Sequence, residues 1–520
     1  MIDIMRLTPE QVERFIHLQS IVDRQAIDRE TLRRQREYYD GNHEVLLSPR
    51  QRDFLGLLVG QGNDASYSFN LMRNVVDSIR ERLSVVGFTV DGKTAASESD
   101  NAAPEEELAG LLWNWWADND MDTLQIDLYR KALRDGVAYL LVTWDEEQNR
   151  PAFYVHAQDD GASGITTHLD PETHLPQYYA KYWTTYDPLR PGATGEERKT
   201  VYLPNEVRKY RRSFGGNWYG WEPVQDVGDT SWPLQWLGAD GRPIGFAVWS
   251  FRVPGGSELS PSVLALQDSI NASMLDLLAA AAAGGFPIMS IEYGDSVQAP
   301  VPAAPDNEEN EGAGIELAPG RLLEVYGGHL NRLPPSDTQP MIATVWTMVS
   351  ALSAVTSVPA HRLRPFAGAD VPSGEALKQL EAGLVAKATE RTQAFTAPWA
   401  GVMTTAYRLA QRYGTGDIPA IATPRIKAVW ADVNTRSELT QSQVGTAHKA
   451  LGVPDEMIWQ KVLGYTPDEV SAFRVSKRRD QAMQVAAIAA SLRQSPQAVP
   501  TQQTPVAPAN PAAFTEGNQP

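Results

Sequence analysis

The chain has 520 residues, of which 42% are hydrophobic and none is cysteine. This length is too great for one hydrophobic core and predicts about two to four domains, while the lack of cysteine excludes disulfides, a cysteine nucleophile and thiolate metal sites. The formal charge of -18 argues against a protein that binds nucleic acid by neutralising phosphates over its whole surface.

The first part of the chain predicts helices that lead into strands. Residues 9–39 and 68–83 have amphipathic helical patterns, and residues 85–90 read as a strand. The polar residues 92–107 are expected to form a surface loop. A helix, MDTLQIDLYRKALRDG, then precedes a β-branched and aromatic run at 137–144, which predicts a strand.

Short strands dominate from there to Phe251. β-branched and aromatic runs alternate with Pro, Gly and Asp, so we predict a β-rich subdomain. The candidate strands are FYVH, QYYAKYWTTY, KTVYL, EVRKYRRS, NWYGWEPV and IGFAVWSF.

Two long helices are predicted on either side of an acidic excursion. Residues 257–283 carry an apolar stripe at helical spacing, and residues 336–356 form the second helix. Residues 286–336 between them hold two predicted strands and a low-complexity loop, with eight acidic residues and two arginines. Such acidity is typical of a solvated loop. The stripe consists of Val263, Leu266, Ile270, Met274 and Leu277.

The longest predicted helix runs from residue 372 to residue 413. Apolar residues recur three and four apart along it, and Ser373 is placed to cap its start. At about 1.5 Å per residue the helix spans roughly 60 Å, more than an ordinary compact domain requires. Pro398 is expected to kink it, and two helices broken at Pro398 are the alternative.

The end of the chain predicts a strand, RIKAVW, a helical segment at 437–492 and a Pro- and Gln-rich tail that we expect to be disordered. No secretory signal is visible at the start. The most apolar stretch, residues 277–289, is too short for a bilayer and contains glycine and proline. We therefore expect a soluble protein without membrane contact.

Two short motifs suggest ion or phosphate sites, but each lacks a required residue. Asp118, Asp120 and Asp122 have calcium-loop spacing, yet Thr123 stands in place of the glycine and Tyr129 in place of the bidentate glutamate. The segment GATGEERKT ends like a phosphate loop without a glycine before its lysine, and predicts a hairpin turn.

Three histidines near three aspartates are a further candidate metal cluster. Their spacing matches no helical histidine pair, so structural or solvent-facing roles are favoured, with a metal-dependent nucleic-acid-processing enzyme as the alternative. No GxSxG or HExxH motif is present. We predict no catalytic residue, no metal and no cofactor, and hence no enzyme. The six residues are His156, His168, His174, Asp159, Asp160 and Asp170.

Basic residues cluster at 208–212 and at 477–479, where they could contact nucleic acid or an acidic partner. We interpret the first cluster as an exposed strand end and the second as a solvated helix face.

The order of these elements resembles the portal proteins of tailed bacteriophages, the head-to-tail connectors through which DNA enters and leaves the capsid. The resemblance covers roughly residues 25–480. Its more specific parts are PSGEALK and the stretch from GSEL to Asn271. The matching stretches are LRRQREYYDGNHEV, NLMRNVVDSIRERLSVVGFTV, LDPETHLPQYYAKYW, GGSELSPSVLALQDSIN and VPSGEALKQLEAGLVAKATERTQAFTAPW.

The resemblance implies an α+β, mainly helical, portal-type fold with wing, stem, clip and crown that assembles into a ring. The implied divisions are wing 1–257, stem helix 258–285, clip 286–335, second stem helix 336–357, tunnel loop 358–372, long wing helix and return strand 373–431, crown 432–492 and disordered tail 493–520.

The implied function is a channel for DNA packaging and ejection at the capsid vertex of the virion, with assembly in the host cytoplasm. The implied partners are further copies of the chain, usually making a ring of twelve, double-stranded DNA, the terminase large subunit, a head-completion or adaptor protein, and scaffold and major capsid proteins. A capsid adaptor that is not the portal is an alternative, although adaptors are usually much smaller.

The resemblance also directs attention to three groups of residues. The tunnel loop would present His361, Arg362, Arg364 and Phe366 to DNA, unless this is an ordinary solvated loop or packs on a neighbour. The apolar stripe of the first stem helix would pack partly on an adjacent subunit. The clip would contact partners through Glu292, Asp295, Arg321 and Arg332.

Overall fold

The computed structural model divides the chain into two compact units, Met1–Pro467 and Asp468–Pro520. In the second unit the structure describes a helix that ends at Arg493. The structure describes residues 8–43, 48–49, 51–52, 69–91, 93–94, 104–185, 195–213, 220–226, 231–285, 289–294, 322–327, 330–332, 337–363, 374–421, 423–434, 438–453, 455–463, 465 and 467–493.

Helices and strands both contribute, as the predicted α+β class requires. The helices are α1 Pro9–Gln25, α2 Arg29–Asp40, α3 Met72–Arg80, α4 Pro104–Asp118, α5 Met121–Asp135, α6 Pro261–Gly285, α7 Gln339–Thr356, α8 Ala360–Leu363, α9 Gly374–Leu380, α10 Ala382–Tyr413, α11 Glu438–Ala450, α12 Asp455–Lys461 and α13 Pro467–Arg493.

Among the described residues, the strands form four sheets. The strands are β1 Val85–Val90, β2 Lys93–Thr94, β3 Val137–Asp145, β4 Arg150–Ala157, β5 Ser163–Leu169, β6 Pro176–Thr185, β7 Glu196–Tyr202, β8 Glu206–Ser213, β9 Glu222–Pro223, β10 Leu234–Gln235, β11 Val248–Arg252, β12 Met289–Gly294, β13 Leu322–Gly327, β14 Leu330–Arg332 and β15 Ile426–Trp430. Their orders are β15-β1-β2, β11-β3-β4, β13-β12-β14, and β10-β8-β7-β6-β5 with β9 on β8.

The predicted helix at 9–39 is two helices. The side chain of Asp28 accepts a hydrogen bond from the Thr31 N–H at 3.0 Å and thereby starts α2, while Thr8 and Gln11 form a capping box at the start of α1. The break follows from this second cap, because an aspartate at the N-cap satisfies amide groups that a continuous helix would satisfy itself.

The predicted surface loop at 92–107 is wrong at both ends. Lys93–Thr94 pairs with the end of β1, and α4 begins at Pro104, a residue favoured in the first turn of a helix.

The β-rich region is present, but β5 was missed because Gly164 and His168 give it a weak strand pattern. The last predicted strand of this region, IGFAVWSF, corresponds to β11, which pairs with β3.

The long helix is observed essentially as predicted, in the segments α9 and α10. Glu381 between them is helical, because its N–H donates to the Leu377 carbonyl at 3.0 Å and its carbonyl accepts from Val385 at 2.9 Å. The alternative of two helices broken at Pro398 is wrong, since α10 runs through that proline. Ser373, the predicted cap, lies outside the described residues.

The main hydrophobic core surrounds α10. Phe395 and Trp399 are fully buried, and the Trp399 indole N–H donates to the Tyr129 hydroxyl at 2.9 Å. Gly401 lies against the Trp249 ring of β11, where an added Cβ would come within 2.3 Å of ring carbons. The helix is therefore the element on which α5 and the β3–β4–β11 sheet pack.

Candidate functional site

The first candidate surface is the apolar stripe on α6. Val263 and Ile270 are 3% and 0% exposed and belong to the chain's own core, so they are not available to a neighbouring subunit. Leu266, Met274 and Leu277 are partly exposed. A subunit contact therefore stays a prediction for these three residues, and Val263 and Ile270 are corrected to core positions.

Two buried polar side chains that sequence reasoning missed lie beside the stripe on α6. The Gln267 side chain accepts the Leu71 N–H at 3.1 Å, and the Asn271 side chain accepts the Phe69 N–H at 2.9 Å. Both side chains are 0% exposed. Their spacing of four residues was the available signal, because residues four apart share a helix face. These amides fix the segment before α3 against α6.

A buried charge cluster joins the start of α6, the end of α7 and α10. Glu258 accepts hydrogen bonds from the Arg391 guanidinium at 3.0 and 2.9 Å and pairs with Lys387 at 2.5 Å. Lys387 also donates to the Thr356 carbonyl at the end of α7, at 2.9 Å. Because Glu258 and Arg391 are only 4% and 6% exposed, the pair is shielded from water and connects three helices that are far apart in sequence.

A second cluster holds two of the predicted DNA-facing residues. The Arg362 Nε lies 3.3 Å from the Glu381 carboxylate, and its Nη1 lies 3.3 Å from Glu81. Glu381 also pairs with Arg82 at 2.9 Å and lies 3.5 Å from His361 Nε2. His361 and Arg362 are therefore half-buried in α8 and bound to carboxylates of this chain.

The remaining predicted site residues are placed incompletely. Arg364 and Phe366 lie outside the described residues, as do Asp295 and Arg321. Glu292 lies on β12 opposite Val325 of the parallel strand β13, and Arg332 lies on β14 opposite Met289. The backbone thus places Glu292 and Arg332 in one three-stranded sheet.

The candidate metal cluster does not come together. His156 Nε2 lies 3.3 Å from Lys181, whereas His168 Nδ1 lies 3.2 Å from Asp23 on α1. In the described part of the chain, no group of three or more His, Asp or Glu side chains is placed to hold a metal ion. Asp122, from the calcium-like motif, instead accepts the Trp116 indole N–H at 2.9 Å.

The basic cluster at 208–212 is paired with acids of its own sheet and of the loop that follows β9. Arg208 is 3% exposed and bonds Glu206 at 2.7 Å, and Lys209 pairs with Asp226 at 3.2 Å. Arg212 bonds Glu197. The interpretation as an exposed strand end is therefore wrong for Arg208, because its guanidinium lies inside the sheet's packing.

Lys199, from the phosphate-loop-like motif, lies on β7 and is completely buried. Its Nζ is 3.1 Å from His17 Nδ1 and lies over the rings of Tyr210 and Trp221, at 4.9 and 4.6 Å. No carboxylate among the described residues forms an ion pair with it. Burial lowers the pKa of Lys199 to about 7, and burial followed by the Lys199 and Arg208 charges lowers the pKa of His17 to about 4.

Replacing Lys199 by methionine should stabilise the protein, and more so at low pH. Between pH 7 and 10.5 the unfolded chain binds a proton at this lysine, whereas the folded chain does not. The free energy of unfolding of the wild type therefore increases by about 1.4 kcal/mol for each pH unit in this range. The advantage of Lys199→Met should thus be greatest at or below pH 7 and shrink towards pH 10.5, as measured by urea unfolding.

The control is Lys209→Met on the neighbouring strand, where Asp226 pairs with the ammonium group. That change should not stabilise the protein. A Lys199→Met effect that is independent of pH would contradict the assignment.

Comparisons with known proteins agree with the resemblance seen in the sequence. No family model matches the chain. It is 24% identical over 426 residues to the portal protein of Mycobacterium phage D29, covering 79% of each chain. It is 23% identical over 463 residues to the portal protein of Mycobacterium phage L5, covering 86% of each chain.

A solved structure, a chain from the neck of an empty GTA particle, is 14% identical and covers 84% of this chain and 99% of that one, with a TM-score of 0.35. No helix in the described ranges is long and apolar enough to cross a membrane. Both relatives are named portal proteins, which agrees with the prediction that the chain is not an enzyme. The chain is similar to phage portal proteins over most of its length, in agreement with the resemblance seen in its sequence.

Proposed function

We propose that this chain is the subunit of a portal ring, the channel at one capsid vertex through which DNA is packaged and ejected. The observation that carries the proposal is similarity to two phage portal proteins over 79% and 86% of the chain. The partners would be about eleven further copies, double-stranded DNA, the terminase large subunit, a head-completion or adaptor protein, and scaffold and major capsid proteins. The protein would act in the virion after assembly in the host cytoplasm.

The helices α6 and α7 would form the stem of each subunit. They pack against each other, with the Ser273 hydroxyl 3.5 Å from the Met348 sulfur, and the sheet β13-β12-β14 lies between them in the chain. This sheet would be the clip, with Glu292, Asp295, Arg321 and Arg332 as candidate partner contacts. The region before α6 and the long helix would be the wing, and residues 432–492 the crown.

The channel function requires weak contact with DNA. Each phosphate that a protein neutralises adds affinity through counterion release, so a duplex slides more easily past an acidic wall. The net charge of -18 supports this proposal. The ion pairs of Arg362 with Glu81 and Glu381 support it further, because a paired guanidinium binds a phosphate less strongly. Arg364 and Phe366 remain candidates for direct DNA contact.

An exposed leucine on the stem gives a direct test of the ring. Leu278 on α6 is 39% exposed, unlike Ile270, so a charge there should disturb a neighbouring subunit without disturbing this chain's core. Leu278→Asp is expected to convert rings to monomers in light scattering while circular dichroism is unchanged. Ser269→Asp, at an exposed position on the same helix, is the matched control. Rings of unchanged mass in Leu278→Asp would refute the stem contact.

A further inference from the structure

A cleft of about 460 Å³ opens between the α1–α2 turn and the loop that leads from β11 to α6. One wall is formed by Ile27, Asp28 and Thr31, and the other by the glycine pair Gly255-Gly256. Its size lies within the range of small-ligand and peptide side-chain pockets. The glycine pair begins one of the stretches that carried the sequence resemblance, yet the channel function gives the cleft no role.

Three glycines with positive φ shape the cleft. Gly136, Gly255 and Gly256 have φ values of 85°, 83° and 89°, which other residues rarely adopt. A Cβ on Gly136 would lie 3.0 Å from the Ser257 nitrogen, so this glycine allows the loop to approach the end of α5. A Cβ on Gly255 or Gly256 would meet nothing within 4 Å, so the space beside the pair is open.

Gln35 supplies an unused hydrogen-bond acceptor in the wall of this cleft. Its side chain is 5% exposed, and its Nε2 donates to the Leu259 carbonyl at 3.2 Å, which fixes the orientation of the amide. Its Oε1 has no hydrogen-bond partner among the described residues. A buried acceptor without a partner is rare in folded proteins, and because this oxygen is shielded from solvent, a ligand donor would reach it only with a small movement of the cleft wall.

Arg252 supplies an uncompensated charge. It is exposed and forms no ion pair or side-chain hydrogen bond within the described residues. The acids that line the cleft are already engaged. Asp28 accepts from the Thr31 N–H and hydroxyl at 3.0 and 2.6 Å, and Asp135 is held by Arg36 and Arg134 at 2.8 and 2.7 Å. Arg252 is therefore the group that an anionic ligand would pair with.

The walls also indicate which kind of ligand fits. The side chains that line the cleft include Ile27, Leu32, Val137, Val253 and Pro254, and no aromatic residue is among them. Nucleotide-binding surfaces usually stack bases on aromatic rings, so an aliphatic cleft favours a peptide. We propose that this cleft binds a short peptide segment of a partner protein, with a backbone N–H donated to Gln35 and an acidic side chain paired with Arg252. The proposal does not depend on the ring.

Calorimetric titration of the full chain tests the proposal. The probes are acetyl-Leu-Glu-Leu-amide, its Gln counterpart, ADP and inorganic phosphate. We expect saturable binding of the Glu peptide, about tenfold tighter than of the Gln peptide, because a charge-assisted bond to Arg252 is lost in the latter. Arg252→Gln should abolish that difference in affinity, and Gln35→Met should weaken the binding of both peptides.

Arg242→Gln is the matched control, because the Arg242 side chain is 80% exposed and lies outside the cleft. It should bind as the wild type does. Absence of saturable binding would overturn the proposal, as would equal binding of both peptides or an unchanged preference in Arg252→Gln. Tighter binding of ADP or phosphate than of the Glu peptide, lost in Arg252→Gln, would assign the cleft to phosphate ligands instead.

Discussion

Replacing Glu258 by alanine is expected to lower the free energy of unfolding by about 3–5 kcal/mol, the largest effect of any single change considered for this chain. Glu258 is the shared counter-ion of Arg391 and Lys387, and the Arg391 side chain is only 6% exposed. Removing the carboxylate would leave the buried guanidinium with only the solvent-exposed carboxylate of Glu390 as a partner. Chemical denaturation of the variant and the wild type measures the difference.

Glu390→Ala is the matched control for this prediction. Glu390 pairs with the same arginine at 2.9 Å, but its side chain is 57% exposed, so its loss should cost about 1 kcal/mol or less. The double variant Glu258→Met, Arg391→Met should lose less of the free energy of unfolding than Glu258→Ala does, because both buried charges are then removed. Equal losses in Glu258→Ala and Glu390→Ala would show that burial of the pair has no special importance.

Gly401→Ala should destabilise the protein by about 1–3 kcal/mol, although alanine normally favours a helix. The new methyl group would come within 2.3 Å of the Trp249 ring. That ring is held in place, because its indole N–H donates to Thr405 at 3.1 Å. Either α10 or β11 must shift, and thermal unfolding would report the cost as a lower Tm.

Gly383→Ala on the same helix is the control. Its nearest neighbour would be the Ser357 side chain at 3.8 Å, an ordinary contact. The substitution should therefore stabilise the protein by up to about 1 kcal/mol, as expected for glycine to alanine within a helix. If Gly401→Ala were equally stabilising, the close contact between α10 and Trp249 would be wrong.

The sequence was most informative where a periodic pattern runs over many residues. The long helix was predicted to within two residues, because its apolar spacing continues on both sides of Pro398. The break between α1 and α2 was missed even though Asp28 and Thr31 are adequate local signals, because the charged pattern continues across them. Short strands such as β5 depend on pairing with neighbouring strands, so their own sequence pattern is weaker.

The charge clusters could not be predicted from spacing. Glu258 and Arg391 are 133 residues apart, and Arg362 and Glu81 are 281 apart. Only the packing of α3, α8 and α10 with one another and with the segment that leads into α6 brings these residues together. The same packing buries Val263 and Ile270 of the predicted interface stripe, because helical periodicity identifies an apolar face but not the surface that covers it.

Electron microscopy of the purified chain tests the central claim most directly. A portal subunit should give rings with a central hole, and light scattering of the same sample should give a mass that is a multiple of 57.2 kDa. The rings should be lost in Leu278→Asp. A compact particle of 57.2 kDa without a hole, under conditions where the wild-type chain is folded, would contradict the account.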